Sequence, residues 1–142
     1  MIAAEAFLVV RAGGERYGIG LGMVREVVDV SVLRAVPART PAMRGVMLLR
    51  ERFLSLVHLG ALLAGGVPAP AVGDTAVVVY VGEAAVALEV DEVLEVVEGG
   101  ATFVGSAPAS WAAGVWRVGT ELVTVIDLEA LAERLTAIEE PA

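Results

Sequence analysis

Phe7–Val28, FLVVRAGGERYGIGLGMVREVV, and Ala76–Val97, AVVVYVGEAAVALEVDEVLEVV, are two versions of one pattern. Both start on consecutive apolar residues. Both reach a glycine at the same place, Gly13 and Gly82, and both close on Val-x-Glu-Val-Val. A shift of 69 residues carries one onto the other, and the register holds without a gap from 7–63 onto 76–132. Val9, Val10, Val24, Glu26, Val27, Val28, Gly45, Val46, Leu59, Ala61 and Leu62 all meet their own kind. With Gly13 and Ala38 the identities number 13 in 57 positions, against roughly six expected from so Val- and Ala-rich a chain. The chain is thus read as a duplicated unit, subdomain 1 over about 7–63 and subdomain 2 over about 76–132. A Gly/Pro-rich linker, 64–75, joins them.

Each unit reads as a run of short strands. In the first, Phe7–Arg11 is apolar, Gly13-Gly14 makes a hairpin turn, and Glu15–Gly20 returns. Met23–Val30 is a third strand after a short helical turn near Gly20–Val24. Pro37 and Pro41 bracket a loop, and Arg44–Leu49 and Arg52–Leu59 complete the set. Thr75–Val81, Ala84–Val90, Glu92–Val97, Ala112–Val118 and Glu121–Ile126 correspond in the second. Five strands in about 60 residues imply a small curled sheet or barrel. Asp127 is a suitable helix cap, and Leu128, Leu131, Leu135 and Ile138 follow at helical spacing. A C-terminal helix over about 127–138 is therefore expected. The whole is one mainly β domain spanning 1–142.

Composition narrows the chemistry. Of the 142 residues 57% are hydrophobic and 5% aromatic, enough for a core built from Val, Leu and Ala. There is no cysteine, which excludes disulfides and Cys-ligated metals. His58 is the one histidine, and all ten basic residues are Arg, which excludes Schiff-base and P-loop lysine chemistry. A net charge of −8 argues against nucleic acid and anionic membrane surfaces. The charge is polarised: 1–58 hold eight Arg and five acids, 59–142 two Arg and thirteen acids. Such asymmetry steers a protein partner or head-to-tail association, or it is no more than scattered Arg on a soluble acidic protein. Mean hydropathy is +0.76, but the longest uncharged stretch, Phe53–Gly73, is broken by Gly60, Gly65, Gly66, Pro68 and Pro70 and cannot be a spanning helix. No basic, apolar leader opens the chain, so a cytoplasmic location is expected.

No catalytic, cofactor or metal constellation emerges. His58 is matched by Asp127 and is read as a cap for the Gly60–Leu63 turn. Asp91, Glu92, Glu95 and Glu98 are read as a solvated strand edge, alternation placing Asp91 and Glu95 away from Glu92 and Glu98. Trp111 and Trp116 are assigned to core or lid. Positions shared by both units are scaffold, so Gly45 and Gly114 answer one backbone need, a bulge or close packing. Positions that differ are candidates for contact. Arg44, Arg50 and Arg52 face Ala113, Gly119 and Glu121, concentrating copy-specific cations in RGVMLLRERF. They are suited to bidentate recognition at an interface, or they are simply solubilising charges.

Four segments together resemble the CheW family of chemotaxis coupling proteins: FLVVRAGGERYGIGLGMVREVV, VPARTPAMRGVMLLRERFLSLVHL, AVALEVDEVLEVVEG and GTELVTVIDLEALAERL, in that order. The resemblance runs from Phe7 to about Leu135. It implies two tandem five-stranded SH3-like β-barrels and a non-enzymatic adaptor. The partners it implies are the regulatory domain of a CheA-type histidine kinase and the cytoplasmic tip of chemoreceptors, in arrays at the inner membrane. The family's contact positions fall here on Val24, Glu26, Gly45 and Arg50. An apolar patch of Val24, Val27 and Val46, flanked by Glu26, Arg44 and Arg50, is the expected partner surface. The chain departs from the family at Leu48 and Glu51, where Asn and Gly are usual, at Ser55 for Pro and at His58 for Asp. Glu51 is expected to change the turn beside Arg50. The alternative reading is a divergent small-barrel module binding protein or peptide without receptors.

Overall fold

Phe7–Val10 and Ala76–Val79 are unbroken apolar runs because both faces of their strands are covered. In the computed structural model the described residues are 6–30, 33–34, 42–64, 73–132 and 135. β1 (Ala6–Ala12) sends Leu8, Val10 and Ala12 into one core and Phe7 and Val9 into another. β7 (Thr75–Val81) does the same with Val77 and Val79 against Ala76 and Val78. Alternation on a strand separates the two sets, and burial of each full Val or Leu side chain is worth about 1.5–3 kcal/mol.

The remaining strands are β2 (Glu15–Gly20), β3 (Val24–Asp29), β4 (Leu33–Arg34), β5 (Met43–Leu49), β6 (Arg52–His58), β8 (Ala84–Val90), β9 (Glu92–Glu98), β10 (Thr102–Gly105), β11 (Ala112–Val118) and β12 (Glu121–Ile126). The helix α1 (Leu59–Ala64) follows β6, and 3-10 turns cover Leu21–Met23 and Glu129–Leu131. The strands form two six-stranded sheets, β10-β11-β12-β2-β1-β9 and β3-β7-β8-β6-β5-β4. Both are antiparallel except for one parallel pair each, β12 with β2 and β6 with β8.

The duplication survives in the hydrogen-bond register. Thr124 pairs Tyr17, and 69 residues away Ser55 pairs Val86. Bulges fall at equivalent places, between Val9 and Val10 on the β1–β9 ladder and between Val24 and Glu26 on the β3–β7 ladder. His58 N–H donates to the Ala42 carbonyl at 2.8 Å, and Asp127 N–H to Trp111 at 2.7 Å. Gly45 and Gly114 sit at matching bulges with φ of 144° and 157°, which meets the shared backbone need read from the repeat.

The expected pair of five-stranded barrels is not what forms. Each sheet has six strands, its edge strands share no ladder, and neither closes. Nor does each repeat make its own sheet. The turn at Leu21–Met23 redirects the chain after β2, and the single-residue corner at Asp91 does so after β8. Each sheet therefore takes one hairpin from one repeat and four strands from the other. Three cores result: one inside each curled sheet, around Phe7 and Trp116 or around Met47 and Leu56, and the largest between the sheets. β4 and β10, two and four residues long, were not anticipated.

His58 and Asp127 cap as expected. Ala61 N–H donates to His58 Nδ1 at 3.0 Å, and Glu129 and Ala130 N–H donate to Asp127 Oδ1 at 3.1 and 3.2 Å. Of the C-terminal segment, Ala132 and Leu135 are helical, with Leu128, Leu131 and Leu135 buried in the inter-sheet core. The rest of that expected helix, the Pro37–Pro41 loop and most of the linker lie outside the described residues.

Candidate partner-binding surface

β3 is an edge strand, and its bulge decides what it presents. The register pairs Val24 with Val79 and Glu26 with Val78, leaving Arg25 as the extra residue. Val24 and Val27 consequently share the face toward the inter-sheet core. Glu26 turns to the concave side of the sheet, beside Val78. Val24 packs against that core, while Val27 remains 46% exposed.

Across the concave side stands the β5–β6 turn. Its two central residues, Arg50 and Glu51, have φ of 46° and 69°. Positive φ at both positions is the signature of a type I′ two-residue hairpin, and Glu51 adopts it without being glycine. The Arg50 guanidinium reaches Glu26 with both terminal nitrogens, Nη1 at 2.8 Å from Oε2 and Nη2 on Oε1. This bidentate pair, from residues 24 apart in sequence, bridges the open side of the sheet where strand pairing does not. The hydrogen bond from Arg50 holds the Glu26 carboxyl below the usual carboxylate range, so the pair stays charged at neutral pH.

Arg25 lies beside the pair, its Nε 3.6 Å from Glu26 Oε2. Its guanidinium stacks 5.5 Å from the Tyr80 ring centroid and donates to the Tyr80 hydroxyl. Arg25, Glu26, Arg50, Arg52, Leu49 and Leu54 border a depression of about 200 Å³. Phe53, beside Arg52, is 66% exposed. The equivalent rim on the other sheet carries Leu94, Glu95, Gly119, Glu121 and exposed Leu122, and Arg16 pairs there with Glu121 at 3.1 Å. One rim is thus cationic and its repeat-related counterpart acidic. The polarity read from the two halves also persists by sheet: the strands beside β3 hold four Arg and three acids, those beside β9 three Arg and five acids.

The expected residues do not all meet. Glu26 and Arg50 do. Gly45 acts through the backbone bulge that sets β5 in register. Val46 lies on β5, with β7, β8 and β6 between it and Val24 and Val27 on β3, so the three valines are not one patch. Arg44 turns inward. Its guanidinium grips Glu89 at 2.7 and 3.1 Å, with the two side chains 10% and 4% exposed, so it is a buried structural cation. The repeat has Ala113 and Gly20 at those positions, lacking both partners of the pair. Arg25, Tyr80 and Phe53 were missed. The signal for Phe53 was an aromatic beside the charged turn Arg50–Arg52, where a hairpin end is solvated. Arg25 was hidden by the bulge.

The acidic run behaves as a sheet edge, with β9 outermost in its sheet and Glu92, Glu95 and Glu98 exposed. Its alternation differs from expectation. A bulge at Leu94 pairs Glu92 with Arg11 and Glu95 with Val9, placing both on one face. Arg11 donates to Glu92 at 2.8 Å. Among the described residues no group of three or more His, Asp or Glu could hold a metal, and no helix is long and apolar enough to cross a membrane.

Two open, curled sheets related by duplication thus pack back to back and carry rims of opposite charge. The family model for the CheW-like domain matches residues 6–136, and the chain belongs to that family. Fifteen chains of solved structures match the fold. One is the scaffolding protein TtCheW from Thermoanaerobacter tengcongensis, with a TM-score of 0.73, 18% identity, and coverage of 87% of this chain and 89% of that one. No curated protein matches in sequence.

Proposed function

We propose that the chain is a non-enzymatic adaptor coupling the cytoplasmic tip of chemoreceptors to a CheA-type histidine kinase. The observation that carries this reading is the family match across nearly the whole chain. The Glu26–Arg50 clamp, at positions the resemblance assigns to partner contact, supports it. The adaptor works beneath the inner membrane, holding receptor and kinase in one geometry so that the state of one biases the other. The cationic rim around Arg25, Arg50 and Arg52, with Phe53 as an apolar anchor, faces one partner. The acidic rim around Glu95 and Glu121, with Leu122, faces another. Unlike surfaces at the two ends favour heterologous, head-to-tail contacts. Each contact is individually modest, and repetition in an array supplies avidity.

Titration of the labelled protein with the cognate kinase regulatory domain, then with a receptor-tip hairpin, tests the proposal. Saturable binding to both, weakened by Arg50→Ala and Glu26→Arg and by added salt, is the expected result. Kinase binding that ignores salt refutes the role given to the charged rims. Kinase binding without receptor binding makes the chain an array-filling relative. Binding to neither partner sinks the adaptor reading and leaves the fold standing.

A further inference from the structure

A cleft at the junction of the β1–β2 hairpin and α1 breaks the molecule's internal symmetry. It measures about 440 Å³, within the range of small-molecule sites, and its walls include Tyr17, Trp111, Glu15, Asp91 and His58. The Tyr17 and Trp111 rings meet edge to face with centroids 5.8 Å apart, each half-buried against the inter-sheet core. The repeat supplies an internal control. Shifting by 69 residues turns Glu15 and Tyr17 into Ala84 and Val86, and turns Asp91 and Trp111 into Gly22 and Ala42. On that side Val86 and Ala42 are 1% and 3% exposed, ordinary filled core. One scaffold thus carries plain packing at one site. At the other it carries two aromatic rings and two carboxylates around open space.

The charges around the cleft are unbalanced. Asp91 Oδ2 accepts the Gly13 N–H at 2.9 Å and lies 3.8 Å from Arg11 Nη1. Arg11 gives its closer contact, 2.8 Å, to Glu92. Glu15, the second carboxylate lining the cleft, is exposed. His58 contributes no positive charge, because its Nδ1 is the acceptor for Ala61 N–H and must be unprotonated there. Arg44, the other cation near His58, is held by Glu89. Aromatic faces attract a cation through their quadrupole, and carboxylates at the rim add hydrogen-bond acceptors.

We propose that this cleft binds a small organic cation, a guanidinium or ammonium on a short aliphatic stem. The cation lies between Glu15 and Asp91, and its stem lies against Tyr17 and Trp111. The site is independent of the adaptor reading, since it uses none of the residues on the Glu26–Arg50 rim.

The test is NMR titration of the full chain with n-butylguanidinium and with n-butylurea, its neutral isostere. Saturable shifts of the Trp111 indole and the Gly13 amide with the cation, absent with the urea, are expected. Asp91→Asn and Trp111→Leu should each weaken binding about tenfold. Equal binding of the two probes, or no saturable shift at tens of millimolar cation, overturns the proposal. The probe contrast is read on the native chain, so it stands even if a variant fails to fold. A capped Gly-Arg-Gly peptide, against its citrulline analogue, locates the source. Cation-selective binding tighter than butylguanidinium assigns a protein side chain; no gain assigns a free small molecule.

Discussion

Arg50 and Glu51 hold positive φ although neither is glycine, at a cost on the order of 1 kcal/mol or more each. The twist of a two-residue hairpin favours it, and the repeat places Gly119, the counterpart of Arg50, at φ 62°. Glu51→Gly should therefore stabilise the fold by about 1 kcal/mol in urea denaturation while leaving the Glu26–Arg50 pair intact. Unchanged or lower stability would show that Glu51 makes compensating contacts. His58 offers a pH-dependent test. Burial pushes its pKa below the usual value, against the opposing pull of Glu89 and Asp91. The cap needs the neutral ring, so its contribution is complete above about pH 6.5 and is lost as pH falls through the lower folded value. The loss should be about 1 kcal/mol, and His58→Asn should remove that step from the stability–pH curve. The cap was legible because an acceptor directly before an apolar turn is a local signal. The inward turn of Arg44 was not, because its partner Glu89 lies 45 residues away.

Among the elements, ten of the twelve strands were legible, the edge strands β3 and β9 included, and the two shortest edge strands were not. β1 and β7 declare themselves by unbroken apolar runs that only double burial explains. β4 and β10 are too short to show a period, and the bulges at Arg25 and Leu94 shift phase without any Gly or Pro to mark them. One bulge is open to direct test. A Cβ at Gly114 would stand 2.7 Å from Phe103 Cε1 and 2.9 Å from Trp116 Cζ3, at φ 157°. Phe103 is half-exposed and can swing aside, but Trp116 is 5% exposed and cannot. Gly114→Ala should cost about 2 kcal/mol and lower the thermal midpoint followed by Trp fluorescence. A neutral outcome would mean that the bulge relaxes.

At the scale of the molecule, the two repeats are interleaved rather than adjacent. Each sheet borrows a hairpin from the other repeat, so a chain cut between residues 64 and 73 yields two halves that each lack strands of both sheets. Each half alone should give an unfolded NMR spectrum, and mixing them should restore dispersed signals. Independent folding of either half would contradict the interleaving. A division at the linker, natural from the sequence, misses this arrangement for a physical reason. Periodicity reports which face of a strand is apolar, whereas the choice of hydrogen-bonding partner depends on chain reversals at Leu21–Met23 and Asp91.

The sequence by itself determined what is local or repeated. The duplication, the apolar central strands, the caps at His58 and Asp127 and the shared backbone need at Gly45 and Gly114 are all written in spacing and residue type. Only the tertiary structure decided that Glu26 meets Arg50, that Arg44 is buried on Glu89, and that Tyr17, Trp111, Glu15 and Asp91 surround one cleft. Those contacts join segments separated by tens of residues. They follow from how two open sheets exchange hairpins and curl, and no short-range pattern encodes that.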